Sequence, residues 1–297
     1  MMYKHILVVV DGSEPSEQAL QKAIHTVDQY GASLLIGHVI DTRSFPKASP
    51  YGDNLWKELK ESADELLEKS KKQAESFGLK DVRTVLESGN PRVVIPRKLI
   101  DKHSVDLLII GGSGRNTVER MLVGSVTEAS VRRSPCDVLT VKIAADETLY
   151  NNLMVAVDGS EQAKNALAKA IEIAKIHKSP LKIINVVEVH ARPYAHSMLS
   201  TQPQVKNEED TYRNAEQKQM LEKYKQQAEE QGVQDVKTIL YYGNPRMAIP
   251  RTLTDAHDID LLVTAATGRG AVDRFFTGSV ASASVHHAPS DVLTVKK

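Results

Sequence analysis

The sequence predicts an α/β protein of two tandem domains, each a five-stranded parallel sheet with helices on both faces. Three observations carry this. The chain repeats itself: HILVVVDGSE (5–14) returns as NLMVAVDGSE (152–161), VLESGNPRVVIPRKLIDKHSVDLLIIGG (85–112) as ILYYGNPRMAIPRTLTDAHDIDLLVTAA (239–266), and SPCDVLTVK (134–142) as APSDVLTVK (288–296). The offset grows from 147 to 154 positions, so each copy is a domain and not a solenoid repeat. Within a copy, short β-branched apolar runs alternate with stretches of helical period, the pattern of parallel βαβ units. The runs are continuously apolar, as in strands buried on both faces. The copies meet in IAADETLY (143–150), which sets the domains at 1–143 and 150–297.

Each element has its own signal. Residues 5–10 read as the first strand. Ser13 then caps a helix with Glu14 and Pro15 in its first turn. Ala19, Leu20, Ala23, Ile24 and Val27 recur at helical spacing, and Gly31 stops the run. SLLIGHVI (33–40) is the second strand. Leu55, Leu59, Ala63, Leu66, Leu67 and Ala74 mark a long amphipathic helix ended by Gly78, with Trp56 near its start as a packing residue. DVRTVLE (81–87) is the third strand, and a helix follows with Pro91 at its first position. Pro96 and its counterpart Pro250 each delete one intrahelical hydrogen bond and predict a kink. VDLLIIG (105–111), a helix over 124–133 and DVLTVK (137–142) complete the copy. Two stretches lack any period, 41–54 and 189–210, and read as loops that either stay solvated or form a lid or partner site.

Bulk composition excludes several classes. Lys+Arg and Asp+Glu balance at 38 each, so no global field draws the chain to nucleic acid or anionic membrane. No apolar run approaches the roughly 20 residues of a membrane span. The N-terminal apolar run is followed at once by Asp11 and reads as a strand, not a signal peptide. Cys136 is the single cysteine, which removes any intramolecular disulfide and fits a reducing, cytoplasmic setting.

Chemistry concentrates in GGSGRNTVERMLVGSV (111–126), whose layout returns as AATGRGAVDRFFTGSV (265–280). The loop follows the fourth strand, so it lies on the carboxyl edge of the sheet, where open α/β sheets bind ligands. Gly111 and Gly114 allow positive φ and close approach of backbone amides. Gly124 and Ser125 open a helix whose unpaired amides and dipole favour an anion, with the Ser125 hydroxyl as a further donor. Together these parts make a phosphate cradle.

The spacing Gly-x-x-Gly, nine residues, Gly-Ser resembles the nucleotide-binding signature of the universal stress protein family, over nearly the whole chain as two tandem copies. That resemblance implies an adenine nucleotide alpha hydrolase-like, Rossmann-like domain that dimerises through its fifth strand. It places Gly111, Gly114, Arg115, Gly124 and Ser125 around the phosphates, Asp11 on the ribose side with Val9 and Val10 beside it, and the backbone of Val39 at adenine. The second copy offers Ala156, Val157, Asp158, Val186, Gly268, Arg269, Gly278 and Ser279, with Ala265 where the motif has its first glycine. The expected ligand is ATP, ADP or AMP, with Mg²⁺ screening the phosphates. If position 111 needs a left-handed backbone, the alanine at 265 costs roughly 1–2 kcal/mol. At negative φ its methyl takes space that a glycine leaves to the phosphates, so the second site is expected to survive but be weaker by about one pKd unit. The identical DVLTVK segments would be exposed sheet edges unless 137–142 pairs with 291–296, which predicts an internal pseudo-dimer and leaves further homo-oligomerisation open.

Each residue also has a plainer reading. Asp11 fits a helix-capping turn, and an isolated Gly-Ser is an ordinary helix cap. No Gly-Lys pair exists for a P-loop, and no G-x-G-x-x-G follows either first strand. Ser113 falls short of a nucleophile elbow. His286 and His287 are adjacent, so their side chains diverge on a helix, and they replace Arg132 and Arg133. Three classes stay open: an adenine-nucleotide-binding stress or regulatory protein with at most slow ATP hydrolysis, an ATP-using enzyme, and an interaction module with a vestigial site. The enzyme ranks below the binder because no dedicated general base is visible beside the loop.

Overall fold

The protein is described here by a computed structural model covering residues 3–44, 52–112, 123–142, 150–188, 208–267 and 278–296. In the first half, strands β1 (His5–Val9), β2 (Ser33–Asp41), β3 (Val82–Gly89), β4 (Leu107–Gly111) and β5 (Asp137–Val141) alternate with helices. These are α1 (Glu14–Tyr30), α2 (Gly52–Ser76), the helical segment α3 (91–103) and α4 (Ser125–Arg133). The second half repeats the order as β6 (Leu153–Ala156), α5 (Glu161–His177), β7 (Leu181–Val187), α6 (Glu208–Glu230), β8 (Val236–Tyr242), α7 (245–256), β9 (Leu261–Ala265), α8 (Ser279–His287) and β10 (Asp291–Val295).

All ten strands join one sheet in the order β3-β2-β1-β4-β5-β10-β9-β6-β7-β8. Pairing is parallel within each half and antiparallel at the seam. Successive residues of β1 feed opposite layers: Ile6 and Val8 pack under α1, while Leu7 packs with Ile95 and Leu99 of α3. Both layers continue across the seam, so the two halves share their core. The helix signals act as read from the sequence. The Ser13 side chain accepts from the Ser16 amide, Pro15 sits in the first turn, and Gly31 closes α1 at φ 62°. Its counterpart in α5 is Lys178, held in the same left-handed conformation at φ 55°.

The seam is a two-fold clasp. Val138, Leu139 and Thr140 pair with Thr294, Leu293 and Val292, so the fifth strands meet as the exposed-edge argument requires. Asp137 Oδ1 accepts the Lys296 amide at 2.8 Å, and Asp291 Oδ1 accepts the Lys142 amide at 2.7 Å. The other carboxylate oxygens accept the hydroxyls of Tyr3 (2.7 Å) and Tyr150 (2.8 Å). Lys22 of α1 crosses to Asp291 at 3.5 Å, and Lys169 of α5 crosses to Asp137 at 4.0 Å. Burial, then the neighbouring carboxylates, pushes both tyrosine hydroxyls well above their usual range.

Two expectations take a different form. Pro96 and Pro250 produce wide π-type turns, Val94–Leu99 and Ala248–Leu253, because the missing N–H shifts the ladder without breaking the segment. Trp56 stays out of the core: it is 41% exposed, and the buried positions of α2 are Ala63, Leu67, Ser70 and Ala74, in its later turns. Most of the aperiodic stretches, 45–51 and 189–207, lie outside the described residues, as does the junction 143–149.

Candidate functional site

Strand order reverses between β1 and β4, and again between β6 and β9. At such a switch point the loops leaving the two strands diverge and open a crevice at their carboxyl ends. A cavity of about 490 Å³ occupies the first, and one of about 450 Å³ the second.

The first cavity draws on six segments. The end of β1 contributes Val9, Val10 and Asp11, and the start of α1 contributes Ser13, Pro15 and Ser16. His38, Val39 and Asp41 come from β2, and Pro91 and Ile95 from α3. Ile110, Gly111 and Gly112 end β4, and Gly124, Ser125, Val126 and Thr127 open α4. The second is lined by Ala156, Val157, Asp158, Asn185, Val186, Thr264, Ala265, Gly278 and Ser279, among others. Every predicted site residue within the described range therefore lines one of the two cavities. Gly114, Arg115, Gly268 and Arg269 lie outside the described residues.

At one end is the start of α4. Its first backbone hydrogen bond runs from the Glu128 amide to Gly124, so the amides of residues 125–127 have no partner within the helix. Gly124, at the N-cap, has no side chain to satisfy them. Among the described residues, a Cβ added at Gly124 would find only Thr127 Oγ1, at 3.6 Å. Arg92 donates from Nε to Ser125 Oγ at 3.0 Å, bringing a guanidinium to the same end. This arrangement suits an anion.

The opposite wall is a strand edge. The Val10 amide donates to the Gly37 carbonyl, which is the last bond between the β1 segment and β2. Backbone direction alternates along a strand, so the N–H and C=O of Val39 face the same side as Gly37, beyond the end of β1. β2 meanwhile stays paired to β3 as far as Asp41. In the second half Val157 donates to Ile184, and Val186 occupies the equivalent open edge.

Between these ends lies Asp11. Its Oδ1 accepts the Ser13 amide at 3.0 Å and the Ser13 hydroxyl at 2.6 Å. Burial pushes the carboxyl up, but the Ser13 bonds prevail and hold it below its ordinary value. Asp158 and Ser160 repeat both bonds. Thus the capping-turn reading of Asp11 holds together with its place on the cavity wall. At the rim, hydrogen bonds from Arg43 bring Asp41 down to about 2.

One expectation about the glycines is corrected. Gly111 is not in the left-handed region. Its Cβ would instead lie 2.6 Å from the Pro15 carbonyl carbon, and closer still to the oxygen. Glycine at 111 lets α1 approach β4. In the second half Gln162 stands at the Pro15 position, and Ala265 is accommodated. The left-handed strain proposed for that alanine therefore has no basis.

Sequence reasoning missed Arg92 and His38. The signal for Arg92 was the repeated Asn-Pro-Arg of 90–92 and 244–246. His38 Nδ1 is 2.7 Å from the Val10 carbonyl, so that nitrogen carries the proton. Asn185 takes its place and donates to Val157 at 2.7 Å. Thr127 Oγ1 also ties α4 to the Gly111 carbonyl at 2.9 Å. Ala281 stands there in the second half, where the Gly278 amide bonds the Ala266 carbonyl instead.

Together these features define a class: a doubled open-sheet α/β protein with a glycine-capped helix start at each strand-order reversal. The universal stress protein family model matches residues 2–142 and again 149–296. A Staphylococcus saprophyticus protein assigned to the universal stress proteins is 43% identical over 142 residues, which is 48% of this chain and 85% of that relative. A Staphylococcus aureus counterpart is 44% identical over 140 residues, 47% of this chain and 84% of its own length. The crystal structure of a universal stress protein from Archaeoglobus fulgidus superposes with a TM-score of 0.75 at 22% identity, covering 100% of this chain and 99% of that one. The chain belongs to the universal stress protein family.

Proposed function

We propose that the protein binds an adenine nucleotide, ATP, ADP or AMP, in its switch-point cavities and serves as a regulatory component of a stress response. The observation that carries this reading is the pairing, within one cavity of about 490 Å³, of an anion-accepting helix start and an open strand edge. That volume falls within the range of roughly 300–1,000 Å³ usual for small-ligand sites. Phosphates go to Gly124, Ser125 and Arg92, the ribose to Asp11, and the base to the backbone edge of Val39. The second cavity repeats this with Gly278, Ser279, Asp158 and Val186. Gly114, Arg115, Gly268 and Arg269 belong to the same reading of the loops.

Mg²⁺ fits as a companion of the phosphates. No group of three or more His, Cys, Asp or Glu side chains suited to a metal occurs among the described residues, so the ion would keep mainly phosphate and water ligands. The reading assigns no residue to turnover: Asp11 is engaged through Oδ1 with Ser13, and His38 donates from Nδ1 to the Val10 carbonyl. A cytoplasmic setting belongs to the same reading. The single thiol, Cys136, is buried, and its pKa is pushed up to about 12.

The test is Gly124→Val. Among the described residues a Cβ there meets only Thr127 Oγ1, at 3.6 Å, beside the helix start. Calorimetric titration with ATP should show at least tenfold weaker binding at the first cavity, about 1.4 kcal/mol. Unchanged affinity in a folded variant sinks the reading.

A further inference from the structure

We infer that each cavity is braced from the opposite half of the molecule: Lys296 holds α4, and Lys142 holds α8, by the end remote from the ligand. The nucleotide reading supplies the ligand; the brace itself rests on geometry.

The need for a brace is local. In α4 the carbonyl of Val131 would ordinarily receive the N–H of residue 135, but that residue is Pro135 and has none. The ammonium of Lys296, from the far side of the seam, donates to the Val131 carbonyl in its place. In α8 the corresponding proline is Pro289. There Lys142 Nζ donates to the carbonyl of Ala288, the C-cap residue, at 2.8 Å. Both placements put a cation on a helix C-terminus, where the exposed carbonyls and the dipole favour it.

The geometry reaches the ligand end because the helices are short. Nine residues span about 13 Å, and the other end of each is the Gly-Ser lip of a cavity. α4 is pinned near its start by Thr127 to Gly111 and near its finish by Lys296. A rod pinned at both ends cannot tilt, so its leading amides stay converged. Holding these lysines is costly, since burial brings both ammonium groups down to about 8. Each cavity, though lined by its own half, therefore depends on a lysine of the other half.

The experiment uses the full chain, with Gly278→Val or Gly124→Val added so that one cavity titrates at a time with ATP. Lys296→Met keeps the stem and removes the donor. It should weaken the first cavity at least threefold and leave the second unchanged, while Lys142→Met should do the reverse. Lys296→Arg should restore the first cavity. Amides 129–133 should exchange hydrogen faster in Lys296→Met, with those of α8 unaffected. Equal losses at both cavities, or none, would overturn the brace. If the unmodified chain takes up no ATP, the nucleotide reading fails, and the crossed exchange pattern alone decides the brace.

Discussion

Replacing Gly111 by alanine tests whether this glycine serves packing and not backbone conformation. The added Cβ would sit 2.6 Å from the Pro15 carbonyl carbon, against 3.4–4 Å for ordinary contact. The first turn of α1 must then retreat by roughly 1 Å, and it cannot do so freely. Ala19, Leu20, Ala23 and Ile24 of the same helix are fully buried against the sheet. Overpacking of this kind costs about 1–3 kcal/mol. With a midpoint near 2 kcal/mol, and roughly 2–4 °C per kcal/mol for a chain of this size, Tm should fall by about 4–8 °C.

Two controls make the measurement decisive. Gly124→Ala adds a Cβ whose only neighbour among the described residues is at 3.6 Å and should change stability by less than about 0.5 kcal/mol. Ala265→Gly, the reverse exchange at the equivalent position, should also destabilise, by about 0.5–1 kcal/mol, because it frees a strand residue. Equilibrium denaturation and calorimetry of the three variants give the answer. A Gly111→Ala protein as stable as Gly124→Ala would refute the close-approach argument.

Further outcomes follow from the seam and the helix ends. Burial, with Lys22 nearby, lowers His177 to about 4, and its Nδ1 accepts the Tyr150 amide at 3.2 Å. The unfolded chain binds this proton near pH 6.5 and the folded one does not, so stability should fall as pH drops from 6.5 towards 4. After discounting for partial exposure, the loss is roughly 2 kcal/mol; urea titrations across that window should show a flatter profile for His177→Gln. Lys178→Gly removes a Cβ from a left-handed residue and should raise stability by about 0.5–1 kcal/mol, read as a higher denaturation midpoint.

The sequence made the fold legible because each strand is a continuous apolar run and each helix carries its own caps and period. These signals are local, and so are the first-strand aspartates and the Gly-Ser helix starts that line the cavities. Long-range effects were harder to read. Lys22 lies beside the apolar stripe of α1 formed by Ala19, Leu20, Ala23 and Ile24, and within its own half it looks like a surface lysine. It is buried because the second half covers it and supplies Asp291. The purpose of glycine at 111 was likewise misread, since the Pro15 carbonyl opposing it belongs to a helix about a hundred positions away in the chain.

The contrast between seam and cavities has a physical source. Each cavity is lined by its own half, so substitutions there can accumulate separately. His38 faces Asn185 across the pseudo-symmetry, Thr127 faces Ala281, and Gly111 faces Ala265. The seam works differently, because its strand pairing and its carboxylate contacts recur with the two halves exchanged. Asp137 binds the amide of Lys296, and Asp291 that of Lys142. An altered charge on one strand would leave a buried partner unpaired on the other, which costs several kcal/mol. Two-fold pairing thus restrains DVLTVK in both copies at once. With a lysine at the end of each copy also holding the opposite helix, the hexapeptide sets strand register and helix position together.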